Sequence, residues 1–110
     1  MIPTAWTARH PDDDFGLPFS NVKYSATLAS STDTSLTVPG SAQRWKALIK
    51  YETTEDVWVA LNETAEVPAG GSFATTTSEL LPACREVKAG DVLHFFATGT
   101  PVVSVVFYSY

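Results

Sequence analysis

The sequence predicts an all-β domain: an antiparallel β-sandwich or jelly roll of about seven or eight short strands behind an extended N-terminal arm. Three observations carry this. The composition is rich in Ser, Thr, Val and aromatic residues, which favour strands over helices. Apolar residues alternate with polar ones at a period of two, most cleanly over residues 44–53. Turn signals such as Pro39-Gly40, Lys88-Ala89-Gly90-Asp91 and Thr98-Gly99-Thr100-Pro101 punctuate the chain.

Residues 1–20 form a zone of their own. Pro3, Pro11 and Pro18 break both helices and central strands, so this reads as an extended arm. It carries the acidic run Asp12-Asp13-Asp14 and the apolar residues Ile2, Trp6, Phe15, Leu17 and Phe19. Leaving a large apolar side chain in water costs about 1.5–3 kcal/mol. The arm is therefore expected to cover its own domain or to dock on a partner.

The sandwich domain is expected over residues 21–110. Val22, Tyr24, Ala26 and Leu28 share one face of a first strand, and Ser30 to Thr34 is a loop. Ser35 to Val38 is a short strand. In the strand from Arg44 to Thr53, Trp45, Ala47, Ile49 and Tyr51 face one way and Arg44, Lys46, Lys50 and Glu52 the other. The Thr53-Thr54-Glu55-Asp56 turn is expected to return this strand into Val57–Asn62 as an antiparallel hairpin. Ser72 to Thr77 reads as a Thr-rich edge strand, and Ser78 to Leu81 as one helical turn before Pro82. Val92–Ala97 and Val102–Tyr110 are apolar on both faces, and such strands are covered on both sides. In a small domain the second cover can be another subunit. The C-terminus is expected to be part of the last strand.

Composition excludes several function classes. The 110 residues suit one domain. A net charge of −5 argues against nucleic acid as the main partner and against anionic lipid. No apolar stretch reaches the roughly 20 residues of a membrane helix, and residues 1–15 do not resemble a signal peptide. The lone Cys84 excludes an internal disulfide and any multi-thiolate zinc site.

Candidate chemistry is sparse. Cys84 and His94 could in principle form a nucleophile–base pair, but a loop cysteine and a strand histidine beside phenylalanines are the expected roles. His10 with Asp12, Asp13 and Asp14 lacks the alternate spacing of a calcium loop and reads as a solvated acidic run. Asn62-Glu63-Thr64 matches the N-glycosylation tripeptide without a secretion signal to give it meaning. Trp45, Tyr51, Trp58 and Phe73 raise the question of sugar stacking. Trp45 falls on the core face, whereas Trp58 points away from Val57 and Val59. No catalytic residue, cofactor or metal is expected, and the chain is read as non-enzymatic.

The segments Arg44-Trp45, Val57-Trp58-Val59-Ala60-Leu61-Asn62, Pro68-Ala69-Gly70-Gly71-Ser72-Phe73, Ser78-Glu79-Leu80, Val87-Lys88-Ala89-Gly90-Asp91-Val92 and Val105-Val106-Phe107-Tyr108 together resemble small β-sandwich virion proteins of tailed bacteriophages. The likeness covers roughly residues 44–110. It implies a capsid decoration or cement protein bound to the major capsid protein on the particle surface, after synthesis in the host cytoplasm. It also implies a homo-oligomer, with a trimer as the expected form. A tail or head-fibre module that binds a receptor or glycan is the alternative. The expected partner-binding residues are Ile2, Trp6, Phe15, Leu17 and Phe19 on the arm, with Trp58, Tyr108 and Tyr110 on the domain.

Overall fold

A computed structural model describes residues 18–52 and 55–110. Among these residues there is no helix. The strands are β1 (Lys23–Thr27), β2 (Thr34–Thr37), β3 (Arg44–Glu52), β4 (Trp58–Leu61), β5 (Glu79–Leu80), β6 (Cys84–Lys88), β7 (Val92–Phe96) and β8 (Val102–Ser109). They form two four-stranded antiparallel sheets, ordered β1-β8-β3-β6 and β2-β7-β4-β5. The pairs β1·β8, β2·β7, β3·β6 and β4·β5 nest inside one another. That is one long hairpin rolled over itself, the strand order of a jelly roll.

The core lies between the sheets and follows the period-two pattern. Trp45, Ala47 and Ile49 of β3 meet Val103, Val105 and Phe107 of β8, and all are buried. The second sheet contributes Val59, Leu93 and Phe95. Phe107 takes the edge of Trp45, with centroids 6.1 Å apart. The indole Nε1 of Trp45 is nearly enclosed, and it donates to the carbonyls of Pro39 (3.1 Å) and Ala42 (3.2 Å). Gly90, at φ 87, supplies the left-handed residue of the β6–β7 turn, and the Asp91 carboxylate accepts the Lys88 amide there (2.9 Å).

Three expectations about local structure give way. β3 and β4 do not form a hairpin, because they sit in different sheets. β4 pairs with β7 in the second sheet and β3 with β8 in the first. Residues 72–77 are irregular rather than an edge strand. They belong to a long connection from β4 to β5 that lies along the second sheet. Residues 78–81 are not a helical turn: Glu79 and Leu80 pair with Val59 and Trp58, and Leu81 turns left-handed at φ 49. Two residues of cross-strand pairing outweigh a weak local helix signal, since one turn of helix is costly to nucleate.

Candidate interaction surface

Each sheet turns one face to the core and one outward, and the outward faces differ. On the first sheet, register aligns Glu86, Lys46 and Tyr108 in one row. Cys84, Leu48, Val106 and Lys23 form the next, and Lys50, Ser104 and Ser25 the one beyond. Arg44 stands opposite Lys88 at the end of the face, beside Tyr110. Five of the chain's 7 Lys and Arg residues thus share one surface: Lys23, Arg44, Lys46, Lys50 and Lys88. The Tyr110 ring lies 5.3 Å from the Arg44 guanidinium and 5.2 Å from the Lys46 ammonium, within cation–π reach. Loss of water and then a hydrogen bond to Glu86 push the Tyr110 hydroxyl above its ordinary pKa.

The arm enters along this sheet. The Tyr108 hydroxyl donates to the Pro18 carbonyl (2.9 Å), and Ser20 Oγ donates to the Phe107 carbonyl (2.7 Å). Between them Phe19 is 99% exposed. The proposed arm contacts Ile2, Trp6, Phe15 and Leu17, and the His10 and Asp12–Asp14 cluster, lie outside the described residues.

On the second sheet, register places Leu80, Trp58 and Phe96 in one outward row and Ala60, His94 and Ser35 in the next. The β4–β5 connection covers part of the second row: Ala60 is buried and His94 half-buried, while Ser35 stays exposed. Ala60 is only 2% exposed although it points outward, and Ala65 of the connection is equally enclosed. Asp33 fastens this cover: one carboxylate oxygen accepts from His94 Nδ1 (2.8 Å) and the other accepts the Ala65 amide (2.9 Å). Further along, Ser78 Oγ accepts the Glu66 amide (3.1 Å). The connection then projects Phe73 fully into solvent. Trp58 is half-buried beside Phe96 and Leu80, as the alternation of β4 predicts, and its neighbours make the row apolar.

The two edges of the sandwich also differ. Between β1 and β2 an apolar groove of about 140 Å3 opens to solvent, walled by Tyr24, Ala26, Leu28, Leu36, Phe95 and Val103. Tyr24 and Ala26 face inward as expected, yet both stay exposed because no strand of the second sheet closes over them. The opposite edge, between β5 and β6, is bridged. Arg85 Nε (2.9 Å) and Nη2 (2.5 Å) reach one oxygen of Glu79, and the Tyr51 hydroxyl donates to the Pro82 carbonyl (2.6 Å).

The structure does not assemble the Cys84–His94 pair. Cys84 is exposed on the outer face of the first sheet, while His94 lies on the outer face of the second, turned to Asp33. Two sheets in contact stand about 10 Å apart, so the core intervenes between these faces. Asn62 is likewise engaged in structure: its Oδ1 accepts the Val92 amide (2.8 Å) and its Nδ2 donates to Asp91 (3.3 Å). Among the described residues no cluster of His, Cys, Asp and Glu is arranged to hold a metal ion. Two features escaped the sequence reading. The Asp33–His94–Ala65 clasp joins three separate parts of the chain and has no local signal. The basic face was half visible in the alternation of Arg44, Lys46 and Lys50, but the net charge concealed it.

Compared with known proteins, the chain matches no family model, no curated protein and no solved structure. The surfaces themselves therefore carry the functional reading.

Proposed function

We propose that the protein is a non-enzymatic structural protein of a bacteriophage particle, a decoration or cement subunit that binds the major capsid protein shell from outside and stabilises it. The observation that carries this reading is the distribution of apolar surface. A fully packed eight-strand core leaves Phe19 and Phe73 wholly in water, at opposite elements of the fold, and leaves the β1–β2 groove open. Contiguous apolar surface left open to water marks places where other molecules sit, and the β1–β2 groove is such a surface. Jelly rolls recur in viral capsid proteins, which agrees with the resemblance in residues 44–110. Repetition around a symmetric shell turns modest contacts into strong retention.

The alternative, a tail or head-fibre module that binds a receptor or glycan, draws on Trp58. Its outward ring beside Phe96 and Leu80 is a surface on which a sugar could stack. Copy number separates the two readings. Quantitative protein measurement on purified particles should find hundreds of copies for a shell subunit. A dozen or fewer favours the fibre module, and none removes both. A chain lacking residues 1–17 keeps the Pro18 and Ser20 bonds to β8, so it should fold and yet lose particle occupancy. Full occupancy by this truncated chain overturns the role of the arm.

A further inference from the structure

Basic charge in this protein is sorted by sheet. Every Lys and Arg among the described residues lies on a strand of the first sheet: Lys23 on β1, Arg44, Lys46 and Lys50 on β3, Arg85 and Lys88 on β6. The second sheet and the loops carry none. They hold most of the acids: Asp33, Glu63 and Glu66 on the side of the second sheet, Glu55 and Asp56 before β4, and Asp91 in the β6–β7 turn, while Glu79 is paired with Arg85 and only Glu52 and Glu86 stand on the first sheet. A chain of net charge −5 thus presents one basic face and one acidic side.

We propose that this protein assembles head to tail, the outer face of the first sheet of one copy seated on the second-sheet side of the next. The inference rests on the homo-oligomer that the resemblance implies and names its surfaces.

Symmetry and charge together select this arrangement. A two-fold contact through the first sheet sets each patch against itself. The five Lys and Arg residues of that face outnumber its two acids, Glu52 and Glu86, so one basic surface would be set against another. Pairing the acidic sides meets the same repulsion. Only unlike faces attract, and joining unlike faces is heterologous contact, which closes into a ring or runs on as a filament. Both faces also carry apolar area to bury: Leu48 and Val106 at the middle of the basic face, and Leu80, Trp58 and Phe96 on the other side. The charges supply orientation and encounter rate, and the apolar rows supply the area.

A nucleic acid fits the basic face less well. Base stacking needs free aromatic rings. Here Arg44 and Lys46 already lie against Tyr110, and Pro18 holds the Tyr108 hydroxyl. The surrounding acids repel phosphate.

The test is sedimentation velocity on the purified full chain across a concentration series. The wild type should associate at low salt and dissociate in about 1 M salt, where the screening length falls to roughly 3 Å. Lys46→Glu with Lys50→Glu should weaken association at least tenfold, and so should Glu63→Lys with Glu66→Lys. Mixing the two variants should restore it, because each then offers the other an oppositely charged surface. All four residues are exposed; if a variant melts early, Lys46→Gln with Lys50→Gln replaces it, and the salt series needs no variant at all. A monomer at every concentration in low salt overturns the proposal. Association indifferent to salt and to both double variants does so as well. Binding of a single-stranded oligonucleotide by the wild type, lost in Lys46→Glu with Lys50→Glu, would assign the face to a polyanion instead. Because no particle is present, the outcome is independent of the shell reading: a monomer can still occupy capsids, and a ring-former can be absent from them.

Discussion

The two outward faces of the sandwich solve the same problem in opposite ways. Both belong to four-stranded antiparallel sheets whose inner sides are buried. The first sheet leaves its outer side in water and sets Lys and Arg around the half-buried Leu48 and Val106. The second sheet has no Lys or Arg with which to do this. It draws the β4–β5 connection over His94 and Ala60 and fastens it with Asp33. The lesson is that an outward position on a strand is not a solvent position. What lies above the sheet decides which it is, and that is set by loops far away in sequence.

A matched pair of substitutions breaks this comparison most forcefully. Ala60 and Ser25 both point outward from their sheets, but Ala60 lies under the connection and Ser25 is open. Ala60→Lys must displace the cover or bury an ammonium, and should cost about 3 kcal/mol or more. Ser25→Lys adds a charge to a wet surface and should stay within about 0.5 kcal/mol. Urea denaturation of the two variants measures both. Equal losses would mean that the connection does not cover the second sheet in solution.

The clasp itself gives a smaller effect. Asp33→Ala leaves the His94 ring nitrogen and the Ala65 amide without their acceptor. The loss of partners for half-buried groups should cost about 2 kcal/mol. Amide exchange should quicken at Ala65 and Glu66 while β8 amides keep their protection, because only the cover is released. Unchanged exchange at Ala65 would show that the connection is held by something other than Asp33.

How much of this was legible in the sequence depends on range. The inner faces of β3 and β8 follow from alternation alone: Trp45, Ala47 and Ile49, then Val103, Val105 and Phe107, are the residues a period of two selects. The β3–β4 hairpin was misread because a polar turn between two strands looks the same whether the chain pairs back or crosses to the opposite sheet. Nothing local distinguishes them; the choice is made by β8 and β7, which arrive later in the chain. The same holds for the surface. Arg44, Lys46 and Lys50 are visibly on one side of one strand, but Lys23 joins them only through β8 and Lys88 only through β6. Asp33 and His94 are two loop-and-strand residues with no pattern between them until β2 and β7 pair. Among the expected partner residues, Trp58 and Tyr108 point outward, as their strand positions require, and are half-buried, while Tyr110, just past β8, is exposed.

The smallest effect concerns what ties the two sheets together at their bridged edge. Tyr51 belongs to the first sheet, and its hydroxyl donates to the Pro82 carbonyl on the link between β5 and β6 (2.6 Å). Tyr51→Phe removes that bond and should cost about 1 kcal/mol at neutral pH. Burial pushes the Tyr51 hydroxyl well above its ordinary value of 10.0, with the Arg85 charge opposing the shift more weakly. The sign of the pH effect follows. Below pH 10 the phenol is neutral in folded and unfolded chains alike, so the stabilisation is present in full. Above it the unfolded chain gives up the proton while the folded chain keeps it, and stability falls until the folded-state pKa is passed. The other tyrosines are common to both proteins and cancel in the difference. The wild-type advantage over Tyr51→Phe should therefore shrink from about pH 10 upward. A constant gap through about pH 11 would mean that Tyr51 is as wet in the folded chain as in the unfolded one, and that this edge is as open as the groove between β1 and β2.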